Sequence, residues 1–387
     1  MRALRAAKWL QLSLGRKENR DDWQRRQFAA EPQRTRAALT FPLSLLMPEI
    51  TTSSPVQRIR GVLAPVVTPF KADLSPDHER FIDYCQWLIS QNCGLAPFGT
   101  TSEGNSLSAG ERIALLDSLI AAGIDPTRMM PGTGCCSVTE TVELTAHAVK
   151  LGCAGVLMLP PFYYKDVSDE GLFRYFSEVV QRVGNMRLRI YLYNIPSVAI
   201  VGITPKLVER LLNAYPTALV GMKDSSGDWN ITKTFLDAFA SPSVSAARTF
   251  DVFVGSESFL LANMRNGGAG TISATANVNP AAIYKVYAAF IRSQTSDVRH
   301  QTSSHLGQLQ ADLDVVRQVF SQKSWPSMIA ALKEAIAIHR KDPEWARVRP
   351  PLVELTTEQA KLLSAELKRI EFKILAPQGK SNKEKVR

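Results

Sequence analysis

Lys223 stands directly after the apolar run 218–222, at the point where a predicted strand ends. Its aliphatic stem therefore begins in a buried strand, where a charged ammonium is poorly solvated and the pKa of a lysine falls. A neutral amine in such a position is a nucleophile for a ketone or an aldehyde. A strand-end lysine paired in water with the neighbouring Asp224 is the structural alternative, and the local sequence leaves it open.

Tyr193 and the pair Thr100–Thr101 would supply the other groups that carbonyl chemistry at a lysine requires. Imine formation and carbon–carbon cleavage both need a proton shuttle, and a phenol with hydrogen-bonded neighbours can serve. The two threonines follow Gly99 and offer hydroxyl and backbone N–H groups suited to a carboxylate. Taken singly, each signal also has a structural explanation, since tyrosine is common in strands and Tyr191 would share a strand face with Tyr193.

These residues follow short apolar runs that alternate with longer amphipathic stretches. Nearly continuous apolar runs are typical of parallel strands that are buried on both faces. The eight runs begin at residues 61, 94, 129, 154, 188, 218, 251 and 269. Eight strands alternating with helices predict an α/β fold, the (β/α)₈ TIM barrel, whose working residues project from the carboxyl ends of the strands. A doubly wound sheet is the alternative.

Helix signals fill the gaps between the runs. Ser75–Pro76 has the pattern of an N-cap and a first-turn proline, and Ser108 and Glu111 have capping-box spacing. Further helical patterns begin at Thr139, Ser168 and Thr204–Pro205. After residue 280 the strand signal stops and helical periodicity continues. We therefore predict a disordered basic extension at 1–55, a TIM barrel at 56–285, a C-terminal helical subdomain at 286–370 and a disordered tail at 371–387.

The positive charge is concentrated at the two ends of the chain. The formal net charge is +10; residues 1–46 hold ten basic and four acidic side chains and residues 376–387 hold four and one, so the body is close to neutral. A nucleic-acid enzyme would carry its basic patch on the folded body, so we expect no nucleic-acid partner. No apolar run approaches the ~18 residues of a membrane span. We expect Met47 to be the true start, preceded by a disordered or misassigned extension.

The cysteines and histidines favour a cytoplasmic protein without a metal. The five cysteines are odd in number and show no CxxC spacing, and a chain of this length does not need disulfides. The five histidines lie far apart, with no HxH or HExxH pair that would hold a metal ion. We expect no cofactor beyond a covalent imine on Lys223.

Together these features resemble the dihydrodipicolinate synthase / N-acetylneuraminate lyase family of class I (Schiff-base) aldolases and lyases. The resemblance covers residues 60 to about 300 and is specific, because several motifs recur in order. They read GTTSE at 99–103, PGTG at 131–134, PPFYYK at 160–165, YNIP at 193–196, GMKDSSGD at 221–228 and GGAGTISATAN at 267–277.

The resemblance implies a role for each matching residue. Lys223 would form the Schiff base with pyruvate or a related 2-oxo acid, and Tyr193 would be the catalytic phenol. Thr100 would link that phenol into a hydroxyl relay. Tyr163 would complete the relay from a neighbouring subunit, since the family is commonly a homotetramer built as a dimer of dimers.

The resemblance also implies the substrate-binding residues, which are Gly99, Thr100, Thr101 and Ile272. The partners would be a small 2-oxo acid and an aldehyde. The leading function is reversible aldol cleavage or condensation. The alternatives are 4-hydroxy-tetrahydrodipicolinate synthase, a dehydratase of 2-oxo-3-deoxy sugar acids that uses the same imine, and a non-catalytic ligand-binding barrel.

Two positions depart from the family pattern. Ser102 stands where the family usually has a glycine, which could reshape the loop that holds the carboxylate. Val198 stands where the synthase branch has an arginine for the carboxylate of aspartate semialdehyde, and a valine cannot replace a bidentate guanidinium contact. We therefore expect the second substrate to be an uncharged or hydroxylated aldehyde.

Overall fold

A computed structural model describes residues 58–240, 250–294 and 299–375 of this chain. The predicted extension at 1–55 and residues 376–387 of the predicted tail lie outside the described residues. Strands and helices alternate through the described part in the order that the sequence predicts.

Seven parallel strands form one sheet in the order β2-β1-β7-β6-β5-β4-β3. They are β1 Gly61–Ala64, β2 Gly94–Leu95, β3 Val156–Met158, β4 Ile190–Asn194, β5 Leu219–Asp224, β6 Asp251–Val254 and β7 Gly270–Ile272. The predicted run at 129 is not a continuous strand, but it joins the two edges of the sheet. Met129 bridges Leu95 and Gly132 bridges Leu157, both in parallel. The sheet therefore closes into a barrel, as the sequence predicts.

Side chains alternate between the barrel interior and the side that faces the helices. Leu63, Phe253 and Ile272 fill the interior, whereas Val62 packs outward into the larger core between strands and helices. This alternation is the period-two geometry of a strand. Burying each large apolar side chain stabilises the fold by about 2 kcal/mol.

Twelve α-helices lie within the described residues. They are α1 His78–Ser90, α2 Ala109–Ala121, α3 Val138–Leu151, α4 Asp169–Val183, α5 Pro196–Ala199, α6 Pro205–Ala214, α7 Trp229–Phe235, α8 Leu260–Arg265, α9 Pro280–Ser293, α10 Arg299–Phe320, α11 Met328–Arg340 and α12 Thr357–Arg369. None of the helices in the described part is both long and apolar enough to cross a membrane.

Three predicted helix starts are confirmed and two are wrong. Ser168 caps α4 and Thr204 caps α6. Ser108 and Glu111 form the predicted capping box of α2. The predicted start at Ser75–Pro76 is wrong, because Pro76 pairs with Phe70 in an antiparallel bridge and Asp77 caps α1 instead. The predicted start at Thr139 is also late, since α3 is capped two residues earlier, at 137.

Two of the predicted segment boundaries are wrong. The boundary at 285 falls inside α9, whose Tyr287 ring covers Gly61 at the start of β1, so this helix belongs to the barrel. The tail does not begin at 371, because Ile374 is buried and the Leu375 carbonyl accepts a hydrogen bond from Trp87 Nε1 at 3.1 Å. Helices α10, α11 and α12 follow the barrel.

Candidate active site

Lys223 and Tyr193 lie side by side at the carboxyl ends of β5 and β4. They are register partners in the parallel ladder, and their exposed fractions are only 4% and 3%. The Nζ of Lys223 lies 4.2 Å from the centroid of the Tyr193 ring. The amine is therefore shielded from bulk water and covered on one side by an aromatic face.

The carboxylate of Asp224 does not neutralise Lys223. Consecutive strand residues point to opposite faces, and Asp224 accepts hydrogen bonds from Asn194 Nδ2 at 2.8 Å, Ser226 Oγ at 2.7 Å and Thr232 Oγ1 at 2.5 Å. Among the described residues Lys223 forms no ion pair with a carboxylate. The alternative of a solvated Lys223–Asp224 pair is wrong.

The Tyr193 hydroxyl is linked to Thr100, the first residue of the predicted threonine pair. Its oxygen lies 3.2 Å from Thr100 Oγ1, and either hydroxyl can donate. Thr100 and Thr101 are both half-buried, whereas the preceding Gly99 is buried. A contiguous path thus runs from the buried amine over the Tyr193 ring to the hydroxyls of Tyr193 and Thr100, which are the groups that imine chemistry and proton transfer require.

The threonine pair lies on a tight turn at residues 98–104, called the threonine loop. The Glu103 N–H donates to the Thr100 carbonyl at 3.0 Å, and a Cβ on Gly104 would lie 2.1 Å from the Phe98 carbonyl oxygen. Phe98 and Glu103 both adopt left-handed backbone, with φ of 65° and 55°. Left-handed backbone costs an L-residue ~1 kcal/mol, so contacts outside the loop must hold it.

Side-chain and main-chain groups from outside the loop provide such contacts. Thr68 Oγ1 donates to the Ser102 carbonyl at 2.7 Å. The Glu103 carboxylate accepts from Lys333 Nζ at 2.6 Å and from the Arg349 backbone N–H at 2.8 Å. No local sequence pattern points to Lys333, because its partner Glu103 lies 230 residues away along the chain.

Ser102, where the family pattern has glycine, adds no polar contact to the loop. Its hydroxyl is buried and has no hydrogen-bond partner among the described residues, while its carbonyl receives the Thr68 hydroxyl. The substitution therefore leaves an unsatisfied hydroxyl in the wall behind the threonine pair.

Ile272 and Tyr163 occupy very different positions. Ile272 is fully buried at the end of β7 and belongs to the same interior cluster as Tyr193. Tyr163 is 73% exposed, and its ring packs against Tyr164 with centroids 5.3 Å apart. Within a single described chain Tyr163 forms no hydrogen bond with Thr100 or Tyr193, so the chain does not complete the predicted relay by itself.

An apolar rim follows β4. Val198 on α5 is 59% exposed and Ile200 is 66% exposed. The nearby cation, Lys165, donates to the carbonyls of Phe162 and Ala199, the latter at 2.9 Å. Its ammonium ties two loops together and is already engaged by main-chain oxygens.

The described residues contain no group of three or more His, Cys, Asp or Glu side chains placed to hold a metal ion. The expectation of a metal-free and cofactor-free enzyme stays a prediction.

The chain is similar to known lyases along most of its length. Residues 58–370 match the family model described as the dihydrodipicolinate synthetase family. The "Uncharacterized DapA-like lyase" of Chloroflexus aurantiacus is 33% identical over 313 residues, which span 80% of this chain and 97% of that protein. The 4-hydroxy-tetrahydrodipicolinate synthase of Methanopyrus kandleri is 28% identical over 324 residues, which span 83% and 99%.

One solved structure with a similar fold contains pyruvate. It is YagE, a prophage protein of the dihydrodipicolinic acid synthase family from Escherichia coli K12, in complex with pyruvate. It matches with a TM-score of 0.70 and 26% identity, over 81% of this chain and 99% of that one.

Proposed function

This chain belongs to the dihydrodipicolinate synthetase family, and we propose that it is a class I lyase that forms an imine between Lys223 and pyruvate or a related 2-oxo acid. The observation that carries the proposal is the Lys223 amine, buried without a counter-ion among the described residues and 4.2 Å from the Tyr193 ring. The reaction is reversible aldol cleavage or condensation.

In the cleavage direction, Lys223 Nζ adds to C2 of the 2-oxo acid, and loss of water from the carbinolamine gives the imine. Tyr193 delivers the proton to the leaving hydroxyl. The protonated imine then accepts the electron pair of the C3–C4 bond while Tyr193 removes the proton of the C4 hydroxyl. An aldehyde leaves and an enamine remains; protonation at C3 and hydrolysis release pyruvate and the free amine.

The threonine loop is the proposed site of the substrate carboxylate. Thr100 and Thr101 are half-buried near the amine and offer hydroxyl and N–H groups, and Gly99 precedes them without a side chain. Charge-assisted hydrogen bonds to a carboxylate are short and strong. Ile272, buried in the interior beside Tyr193, would contact the methyl group of pyruvate.

The rim after β4 supports an uncharged or hydroxylated aldehyde as the second substrate. Val198 and Ile200 are exposed there, and Lys165 is engaged by the Ala199 carbonyl at 2.9 Å. No guanidinium replaces the arginine that a carboxylated aldehyde would need at position 198.

We further propose a cytoplasmic homo-oligomer, a dimer of dimers, with α10, α11 and α12 as the C-terminal helical subdomain. The 73% exposure of Tyr163 supports this assembly, because the residue would complete the hydroxyl relay of a neighbouring subunit. No cofactor takes part beyond the covalent imine.

A panel of 2-oxo-3-deoxy acids with different aldehyde portions tests the proposed reaction. Release of pyruvate together with an aldehyde, in equal amounts, is the expected result. Loss of water without pyruvate would replace the aldolase by the dehydratase. In the condensation direction with pyruvate, preferential use of aspartate semialdehyde over uncharged aldehydes would replace it by the synthase. A protein that turns over no 2-oxo acid would be a non-catalytic barrel.

A further inference from the structure

Helix α11 reaches the back of the threonine loop through one buried side chain. Lys333 Nζ donates to Glu103 Oε1 at 2.6 Å, and neither side chain is exposed to solvent. The second carboxylate oxygen accepts the Arg349 backbone N–H at 2.8 Å. The ammonium also lies 4.5 Å from the centroid of the Phe70 ring. The ion pair is therefore sealed from water, with both carboxylate oxygens engaged.

Stability alone does not account for such a pair. Taking two charges out of water costs about as much free energy as their attraction returns, so an apolar pair of similar volume would stabilise the fold as well. A buried pair nevertheless fixes distance and direction, because a displaced partner is left uncompensated in a low dielectric. Here the fixed group is Glu103, which holds left-handed backbone at φ 55°.

Glu103 is coupled directly to the threonine pair. Its N–H donates to the Thr100 carbonyl at 3.0 Å, across the turn. A movement of the Glu103 side chain would therefore change the position of Thr100, whose hydroxyl lies 3.2 Å from that of Tyr193.

We propose that Lys333 is a positioning residue for substrate binding: by holding Glu103, it keeps Thr100 and Thr101 in the geometry that receives the carboxylate of the 2-oxo acid. The inference rests on the proposed function, since the loop geometry matters for binding only if a carboxylate binds there. Through Lys333, helix α11 contributes to substrate affinity.

The contact between Lys333 and Glu103 should depend on pH, because it depends on the charge of Lys333. Burial lowers the pKa of Lys333 from 10.5 to about 8, against the opposing effect of Glu103; the other charged groups that face it are Glu354 and Arg347. Above about pH 8 the lysine loses its proton and the ion pair is lost. Between about pH 8 and 10.5 the unfolded chain binds the proton more tightly, so stability rises through this group while the loop loses its tether.

The test traps the imine with borohydride on the full chain and measures the labelled fraction by intact mass against pyruvate concentration. At pH 7, Lys333→Met should raise the half-saturating pyruvate concentration about tenfold, while labelling at saturation stays complete. The difference in half-saturating pyruvate concentration between Lys333→Met and the unmodified protein should shrink as the pH rises to 9.5, because the unmodified protein then loses the Lys333–Glu103 ion pair. Leu363→Ala, a core truncation in α12, controls for lost stability and should leave half-saturation unchanged.

If Lys333→Met does not fold, the double variant Glu103→Gln/Lys333→Met removes both charges and should show the same raised half-saturation. The inference would be overturned if the unmodified protein traps pyruvate and Lys333→Met has the same half-saturating pyruvate concentration. An equal rise of that concentration in Leu363→Ala would also overturn it. Failure of the unmodified protein to trap pyruvate at all would instead remove the proposed function.

Discussion

The Lys223 amine lies 4.2 Å from the centroid of the Tyr193 ring, and the hydroxyl of that ring lies 3.2 Å from Thr100 Oγ1. The register of two neighbouring parallel strands sets this relationship, since the two residues are direct partners across β4 and β5. A rigid sheet thus places the nucleophile and the proton carrier, while a tight loop places the third member.

Tyr193→Phe should lower kcat by about 10²- to 10⁴-fold, because the ring remains over Lys223 but the proton-carrying hydroxyl is lost. The fold should lose only about 1 kcal/mol, the net value of one hydrogen bond. Steady-state kinetics and thermal unfolding measure the two effects. Tyr191→Phe, two residues earlier in the same interior cluster, is the matched control and should keep its activity; equal losses in both variants would contradict the assignment.

Thr100→Val should weaken both the proton relay to Tyr193 and the binding of the substrate carboxylate, while preserving the shape of the threonine loop. The variant removes the hydroxyl that lies 3.2 Å from Tyr193, so we expect kcat/KM for the 2-oxo acid to fall at least about tenfold, equivalent to ~1.4 kcal/mol of transition-state stabilisation. Thr100→Ser keeps a hydroxyl and should recover most of the activity. If serine and valine behave alike, the hydroxyl has no role.

Val198→Arg should shift selectivity toward an aldehyde that carries a carboxylate. Val198 is 59% exposed, so the substitution should change stability by no more than about 0.5 kcal/mol. A guanidinium can form two parallel hydrogen bonds with a carboxylate, and we expect kcat/KM for aspartate semialdehyde to rise about tenfold relative to an uncharged aldehyde. Val198→Gln, polar but uncharged, controls for size, and a gain in that variant would argue against charge recognition.

Glu111 should make stability sensitive to acid. Its carboxylate binds the Arg349 guanidinium at 2.7 and 3.0 Å, which lowers the pKa of Glu111 from 4.5 to about 2. A carboxyl group whose pKa is lowered on folding stabilises the fold at pH values above its pKa in the unfolded chain. This contribution is lost as the pH falls from about 4.5 to 2. Because the pair is partly solvated, we expect a loss of about 1–2 kcal/mol.

Denaturant unfolding between pH 6 and 3 measures this effect. Glu111→Gln keeps the acceptor that the capping box of α2 needs but cannot ionise, so its stability should fall less steeply with acid than that of the unmodified protein. Parallel curves for the two proteins would show that the ion pair contributes nothing.

Much of the fold and the centre of the site could be predicted from sequence because their signals are local. Apolar runs mark the strands, and Lys223 and Tyr193 stand at strand ends where a barrel exposes its working residues. The run at 129 forms bridges rather than a strand because Pro131 has no N–H to donate. The start of α1 could not be predicted because Pro76 pairs with Phe70, a contact that no local sequence pattern reveals.

The support behind the site could not be predicted in the same way. Lys333 meets Glu103 across 230 residues, and a lysine within a helical pattern is normally expected at the surface. Only the packing of α11 behind the threonine loop shows that this lysine is buried.

Borohydride reduction in the presence of pyruvate, followed by peptide mapping, tests the central claim most directly. A stable adduct on Lys223, absent from Lys223→Ala and absent without borohydride, is the predicted result. An adduct that persists in Lys223→Ala, or that maps to another lysine, would show that the buried amine beside Tyr193 is not the nucleophile.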